Sequence, residues 1–420
     1  MKSKSTSSTS AQGIWTAPFV ALVAVNFLRM MGQAISGTAL PLYAYSLGAA
    51  ATAVGFVSGA FAISALLIRP FIGPAFDSFS KSRLFLIFGI VLAVAGYAYA
   101  FTTTVESIVV VRLIHGIGMG CTAPLGLAIA SDILPRDKIG SGIGFYTLAQ
   151  STAQAIGPAF AIWAANSLGY FATFMITGTF MVGCCIVVKI FVKDPEGTAA
   201  SRPPYRLSMD RAFAKRAIPM SLVLMVLAIP FSCATSFIAI YGQLLGVDQV
   251  GMYFVVNAVC MMLTRPLFGK LGDRVGAERV VVPTLVMFAL SYVVLANTTS
   301  IWGFMIAAVV GACGFGACQP LVQAIVFKCV PAVQRGSASN TSYTGMDLGT
   351  LIGPYLGGFA IELATPMLGS EVGAYSFMWL VMIVPIAVAL VVFLALRGRV
   401  RVYEQLSTEE TMQALQELED

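Results

Sequence analysis

Apolar stretches of about twenty residues or longer fill almost all of this 420-residue chain, and nothing else in it constrains the fold as tightly. A stretch of that length crosses the ~30 Å hydrocarbon core of a bilayer as a helix rising 1.5 Å per residue. In lipid every backbone N–H and C=O needs a partner within the protein, so only helices and closed barrels can span. A barrel would need alternating segments of about ten residues. These runs are continuously apolar for twice that length. Twelve helices are predicted, at 16–45, 50–73, 83–103, 105–132, 139–165, 168–193, 216–244, 248–269, 279–297, 300–329, 337–363 and 371–397. Charged residues make up 10% of the chain, against about 25% in soluble domains, so too little charge is present to coat a water-soluble surface. The expected fold class is an all-α polytopic membrane protein, long enough for two six-helix bundles.

The basic residues test that count. Lys and Arg fall in the N-terminal tail (Lys2, Lys4), in Arg69–Arg83, at Arg136 and Lys138, and in the 189–216 segment. They return in Arg265–Arg279, at Lys328 and Arg335, and from Arg397 onward. These are the termini and the even-numbered connections. The odd-numbered ones carry Glu106, Asp248, Glu362 and Glu371 without Lys or Arg. The positive-inside rule then puts both termini in the cytoplasm of a cell whose inner membrane holds the protein, and makes the span number even. The organisation expected is a tail (1–15), an N-terminal bundle (16–193), a linker containing Arg202-Pro203-Pro204 (194–215), a C-terminal bundle (216–397) and a second tail (398–420). In that tail Ser407-x-x-Glu410, followed by Met412, Leu415 and Leu418, reads as a short amphipathic helix or as a solvated acidic segment.

The net charge of +6 is spread over short loops rather than gathered into a basic domain, so no nucleic-acid partner is expected. Eight cysteines lie in apolar segments without a CxxC pair, and the chain has one histidine. No metal framework can be assembled from these, no Walker Gly-Lys-Ser/Thr pattern occurs, and no cofactor is expected. A membrane-embedded enzyme would need a nucleophile–base or metal constellation that one histidine does not supply. A solute sensor would need an output domain.

The two halves repeat. Arg69-Pro70-x-x-Gly73-x-x-x-Asp77 reappears 196 residues later as Arg265-Pro266-x-x-Gly269-x-x-x-Asp273. The same offset carries Arg83 to Arg279, Gly118 to Gly314, Pro124 to Pro320, Pro135 to Pro331 and Gly157-Pro158 to Gly353-Pro354. Shared hydrophobicity does not produce matching Gly, Pro and charged residues at one ungapped offset, and a parallel six-plus-six repeat is a transporter architecture.

On these motifs the chain resembles the major facilitator superfamily across nearly its whole length. The family's loop pattern Gly-x-x-x-Asp-Arg-x-Gly-Arg is met in the second half by Gly269, Asp273, Arg274, Gly276 and Arg279. The first half keeps Gly73, Asp77 and Arg83, with Ser78 and Ser80 in place of Arg and Gly. The fourth-span pattern Arg-x-x-Gln-Gly-x-Gly is met by Arg112, Gly116 and Gly118, with His115 in place of Gln. The fifth-span antiporter pattern survives in part around Gly157 and Pro158, and more fully in the eleventh span as Gly349-x-x-x-Gly353-Pro354-x-x-Gly357-Gly358. Gly-Pro also permits a kink and close helix contact, which explains both copies equally well. The resemblance implies alternating access, gating by the loop residues, and a central cavity lined by helices 1, 4, 7 and 10.

Arg29, Arg112 and Asp347 lie well within apolar runs, where an ionisable group costs at least ~2.5–3.5 kcal/mol to insert and so needs a cavity or a partner. Asn26, Arg29 and Gln33 share one face of the first helix; Arg112, His115 and Met119 share one face of the fourth. Asn26, Arg29, Gln33, Arg112 and Met119, with Ser236 and Tyr241 from the seventh helix and Gln319 and Gln323 from the tenth, are the expected substrate-binding residues. Arg29 either captures an anionic or carboxylate-bearing solute or is tied to Asp347 or to backbone carbonyls. Arg112 matches the family position implicated in proton coupling but cannot itself titrate, which leaves His115 or Asp347 to carry the proton. His115 is equally readable as a packing residue. The expected function is proton-coupled transport of a small organic solute by a monomer in a lipid bilayer. Export is favoured, with uptake of an organic anion as the alternative.

Overall fold

The computed structural model describes residues 15–134, 139–192, 213–330, 335–396 and 398. The described part is helical throughout. The N-terminal half consists of α1 (Ala17–Ser46), α2 (Ala51–Gly59, resuming as Phe61–Ser78), α3 (Lys81–Ala98, ending in the 3₁₀ turn Tyr99–Phe101), α4 (Val105–Ile133), and α5 and α6, which share the stretch Ile139–Phe191. The C-terminal half consists of α7 (Ile218–Leu244), α8 (Gly251–Val275), α9 (Ala277–Ala296), α10 (Ile301–Lys328), α11 (Arg335–Leu368) and α12 (Glu371–Val381, resuming as Ile383–Ala395).

Local chemistry sets the helix starts. Pro18 and Pro219 occupy first-turn positions, where a missing N–H costs nothing. Ser80 and Ser370 accept from the amides of Arg83 and Gly373, and Thr104 with Ser107 forms a reciprocal capping box. Eleven described segments are long and apolar enough to cross a bilayer. One of them, Leu148–Phe191, has 44 residues, too many for one crossing at 1.5 Å per residue. Gly169, at φ 82°, breaks it into α5 and α6 and brings the crossings to twelve. The break replaces the interhelical loop expected at 166–167, because a glycine in the left-handed region turns the chain with a single residue.

The halves meet along two seams, α2 against α11 and α5 against α8. The 196-residue repeat exchanges α2 with α8 and α5 with α11, so the seams are copies of one another. The α2–α11 seam is built on small residues. A Cβ at Gly55 would collide with the Pro354 carbonyl, one at Gly358 with the Ala51 carbonyl, and one at Gly59 would lie 2.8 Å from the Leu351 oxygen. Such backbone-to-backbone contact holds helices together where lipid supplies no hydrophobic drive. Gly345, Gly349, Gly353 and Gly357 lie along the same helix at four-residue intervals and seat α7, touching Ser221, Met225, Ile229 and Cys233 in turn. Packing therefore accounts for the eleventh-span glycine pattern directly. Gly157, its counterpart in α5, abuts Ala34 of α1.

At the end of the molecule formed by the odd-numbered connections the halves are tied by polar contacts. Tyr45 donates to Glu371 at 2.8 Å, and the Thr52 amide and hydroxyl donate to Glu362 at 2.9 and 2.7 Å.

Candidate functional site

Midway along the helices a cavity of about 240 Å³ opens between the halves. From the N-terminal half, α1 contributes Met30, Gln33 and Thr38, and α5 contributes Ser151, Gln154 and Pro158. From the C-terminal half come Phe231 and Thr235 of α7, Tyr253, Asn257, Met261 and Arg265 of α8, Phe288, Ser291 and Tyr292 of α9, and Phe315 of α10. The walls are aromatic: Phe231 stacks on Phe315 at 4.1 Å with rings 8° apart, and Phe288 packs against both Phe315 and Tyr292. Among the described lining residues Arg265 is the only cation, and there is no carboxylate. Its Nη1 donates to the Ser151 hydroxyl at 3.1 Å, while its Nε is buried without a hydrogen-bond partner.

The expectation of a cavity lined by helices 1, 4, 7 and 10 is corrected in one respect. Helix α4 contributes no lining residue; α5, α8 and α9 do. Arg112 gives the reason. Its Nε and Nη2 donate to the Val57 and Ser58 carbonyls of α2 at 3.1 and 3.3 Å, next to the irregularity at Ala60, and its guanidinium lies 5.0 Å from the Phe61 ring. Ser64 of α2 donates to the Leu113 carbonyl at 2.6 Å, and a Cβ at Gly116 would strike the Phe61 carbonyl. Helix α4 is thereby drawn onto α2, away from the cavity.

The first-helix face divides. Gln33 lines the cavity and its Oε1 meets His115 Nε2 at 2.9 Å. Asn26 donates to the Tyr146 carbonyl at 2.8 Å and accepts from Arg29 at 3.0 Å, and Arg29 also reaches the Met119 sulfur at 3.5 Å. Asn26, Arg29 and Met119 thus form a cluster inside the N-terminal bundle, off the cavity. His115 is fully buried, its ring 5.8 Å from that of Tyr99, and its Nδ1 has no partner. In the C-terminal bundle, Ser236 donates to the Ser232 carbonyl, and Tyr241 bonds Ser376 at 3.1 Å and stacks on Tyr375. Gln319 points its amide at the Met346 sulfur at 3.9 Å, and Gln323 is half-buried on α10; none of these four lines the cavity.

Asp347 does not meet Arg29. It pairs with Arg69 of α2 across the seam, receiving Nε and Nη2 on one oxygen at 2.6 Å, and the Tyr343 ring lies 5.4 Å from the same guanidinium. Arg69, grouped by the charge pattern with the basic connection at the end of the second span, lies inside α2 with its side chain 8% exposed. Arg69 and Arg265 therefore join Arg29 and Arg112 as cations within the spans. The charge pattern groups both with the basic even-numbered connections although the predicted spans 50–73 and 248–269 include them; the repeat is the signal that marks them, since both are carried by the same motif.

Of the expected gating residues, Arg83, Arg274 and Arg279 are exposed at the even-numbered connections, and Gly269 faces open space. The side chains of Gly73, Asp77 and Asp273, and all of the 398–420 tail except residue 398, lie outside the described residues. All eight cysteines are free thiols.

A profile of the Major Facilitator Superfamily matches residues 22–248 and again 220–417. The Staphylopine export protein of Staphylococcus aureus is 25% identical over 365 residues, covering 83% of this chain and 90% of that protein. The Multi-drug resistance efflux pump PmrA of Streptococcus pneumoniae is 24% identical over 347 residues, covering 79% and 86%. A crystal structure of the nucleoside transporter NupG superposes with a TM-score of 0.76 at 18% identity, over 90% of this chain and 99% of that one. The relatives are named for transport rather than for a covalent reaction, and the twelve crossings, the repeated halves and the cavity between them fit that company. The chain is a multi-pass membrane transporter and belongs to the Major Facilitator Superfamily.

Proposed function

We propose that the protein is a proton-coupled secondary transporter that exports a small organic anion across the cytoplasmic membrane. The observation that carries the proposal is the cavity shared by the two halves, which offers a guanidinium and no carboxylate among its described lining residues. A half-buried cation in a low-dielectric site favours a solute of opposite charge. Both bundles lie in one chain, so a monomer suffices. With both termini cytoplasmic, the odd-numbered end that Tyr45–Glu371 and Thr52–Glu362 tie together is the outer one, and the conformation described is closed to the outside. Alternating access then requires those ties to part while the inner halves approach.

Asp347 is the proton carrier in this reading. Protonation removes the charge that holds Arg69 and so loosens the α2–α11 seam, which links a proton to the rocking of the bundles. His115, sealed in the N-terminal bundle against Gln33, is a packing residue. The exported direction rests on the relatives named as an export protein and an efflux pump. Proteoliposomes with an imposed pH gradient test the proposal: an organic anion should move against its own gradient, in the direction opposite to protons. Anion movement that ignores the pH gradient, or no flux of any anion, overturns it.

A further inference from the structure

The two Arg-Pro motifs carry an asymmetry that the repeat makes legible. The 196-residue offset that takes Arg69 to Arg265 takes Ser151 to Asp347. In space the same pairs form: Arg69 meets Asp347 across the α2–α11 seam, and Arg265 meets Ser151 across the α5–α8 seam. One seam therefore has an arginine with its carboxylate, while its copy has an arginine with a hydroxyl. Arg69 places two nitrogens on Asp347. Arg265 has a single neutral bond, to Ser151, and a buried Nε with no partner, and it alone of the two lines the cavity.

We infer that Arg265 is the anion receptor, and that the carboxylate of the transported solute takes the place that Asp347 holds in the other half. This rests on the cavity being the transport site, and it adds to that reading the contact and the class of solute. A guanidinium fork matches a carboxylate in two parallel bonds, and none of the described residues supplies that partner here. The same cavity is lined by Phe231, stacked on Phe315, which gives it an apolar aromatic wall. Planar aromatic monocarboxylates fit both features, and uncharged analogues of the same shape fit only the wall.

Indole-3-acetate and indole-3-acetamide form a matched probe pair, read by the melting temperature of the purified full chain as probe is titrated. The acetate should stabilise the wild type in a saturable manner and the amide should not. Losing a charge-assisted hydrogen bond raises the half-saturation concentration about 10–100-fold, and that is the shift expected for Arg265→Gln. Ser151→Asp completes the second ion pair from within, and should abolish the acetate response while melting no lower than the wild type. If Ser151→Asp does not fold, Arg265→Gln decides alone. An unchanged half-saturation concentration in Arg265→Gln, any acetate response in folded Ser151→Asp, or no response in the wild type overturns the inference. Reconstituted flux separates this from the wider proposal: pH-driven movement of another organic anion, undiminished in Arg265→Gln and without acetate binding, would sink the receptor and keep the transporter, whereas acetate binding without any flux would do the reverse.

Discussion

Replacing Gly59 with alanine puts a methyl group 2.8 Å from the Leu351 carbonyl oxygen and 2.9 Å from its Cα. Both are backbone atoms, so no side chain can rotate away, and α2 and α11 must part by roughly half an ångström to restore ordinary contact. Overpacking of this kind costs about 1–3 kcal/mol. In the outward-open state that the proposed alternating access requires, the outer halves of α2 and α11 would separate, and the methyl would cost nothing there. The whole penalty therefore falls on the closed form, and 1–3 kcal/mol shifts the ratio of the two states by about 5–150-fold. Gly55→Ala, where the added carbon would overlap the Pro354 carbonyl, should shift it further. Gly183→Ala, whose nearest new neighbour is a Leu28 methyl at 3.7 Å, is the control and should leave the ratio unchanged. Spin labels at positions 47 and 368, one on each bundle at the odd-numbered end, would report the change as a longer distance in double electron–electron resonance. A Gly59→Ala distance distribution that overlays the wild type would refute the claim that this seam closes the outer side.

Four further outcomes follow from the polar contacts. Asp347→Asn leaves the Arg69 charge without its partner, which for a fully buried pair costs about 3–5 kcal/mol; with Asp347 17% exposed the loss should be smaller but visible in thermal unfolding. The double variant Arg69→Met/Asp347→Leu should be less destabilised than the sum of the single changes, and strict additivity would show that the pair is not coupled. Arg112→Lys gives up the fork that spans the Val57 and Ser58 carbonyls, and should destabilise the N-terminal bundle by about 1.5–3 kcal/mol in chemical denaturation. His115→Gln should keep pH-driven flux, whereas Asp347→Asn should lose the dependence on the pH gradient; the opposite pattern would move the proton to the histidine.

Much of the architecture could be read from the chain because lipid leaves few choices. Apolar length gave the crossings, alternating Lys and Arg content gave their parity, and the ungapped repeat gave two equivalent bundles. The break between α5 and α6 falls at Gly169, two residues past the connection expected at 166–167, because a single glycine at φ 82° does the work of a loop. The site was less legible. Intramembrane charge correctly marks Arg29, Arg112 and Asp347 as residues that need partners, but periodicity says which face a residue occupies, not what that face meets. Arg112 finds carbonyls left near a helix irregularity, Arg29 finds Asn26 and a methionine sulfur, and only Gln33 of that group reaches the cavity. Arg69 and Arg265 were hidden by being counted with the basic connections that follow them, although α2 and α8 run through both. The repeat contained the missing information, because aligning Asp347 with Ser151 exposes an arginine without its acid.

The most direct test of this account is the flux of indole-3-acetate in proteoliposomes that carry an imposed pH gradient, measured side by side for the wild type and Arg265→Gln. The wild type should drive the anion against its concentration gradient, in exchange for protons. Arg265→Gln should lose that accumulation while retaining the wild-type melting profile. Equal accumulation by both proteins would contradict the account, because it would show that the anion crosses without the Arg265 guanidinium that lines the cavity.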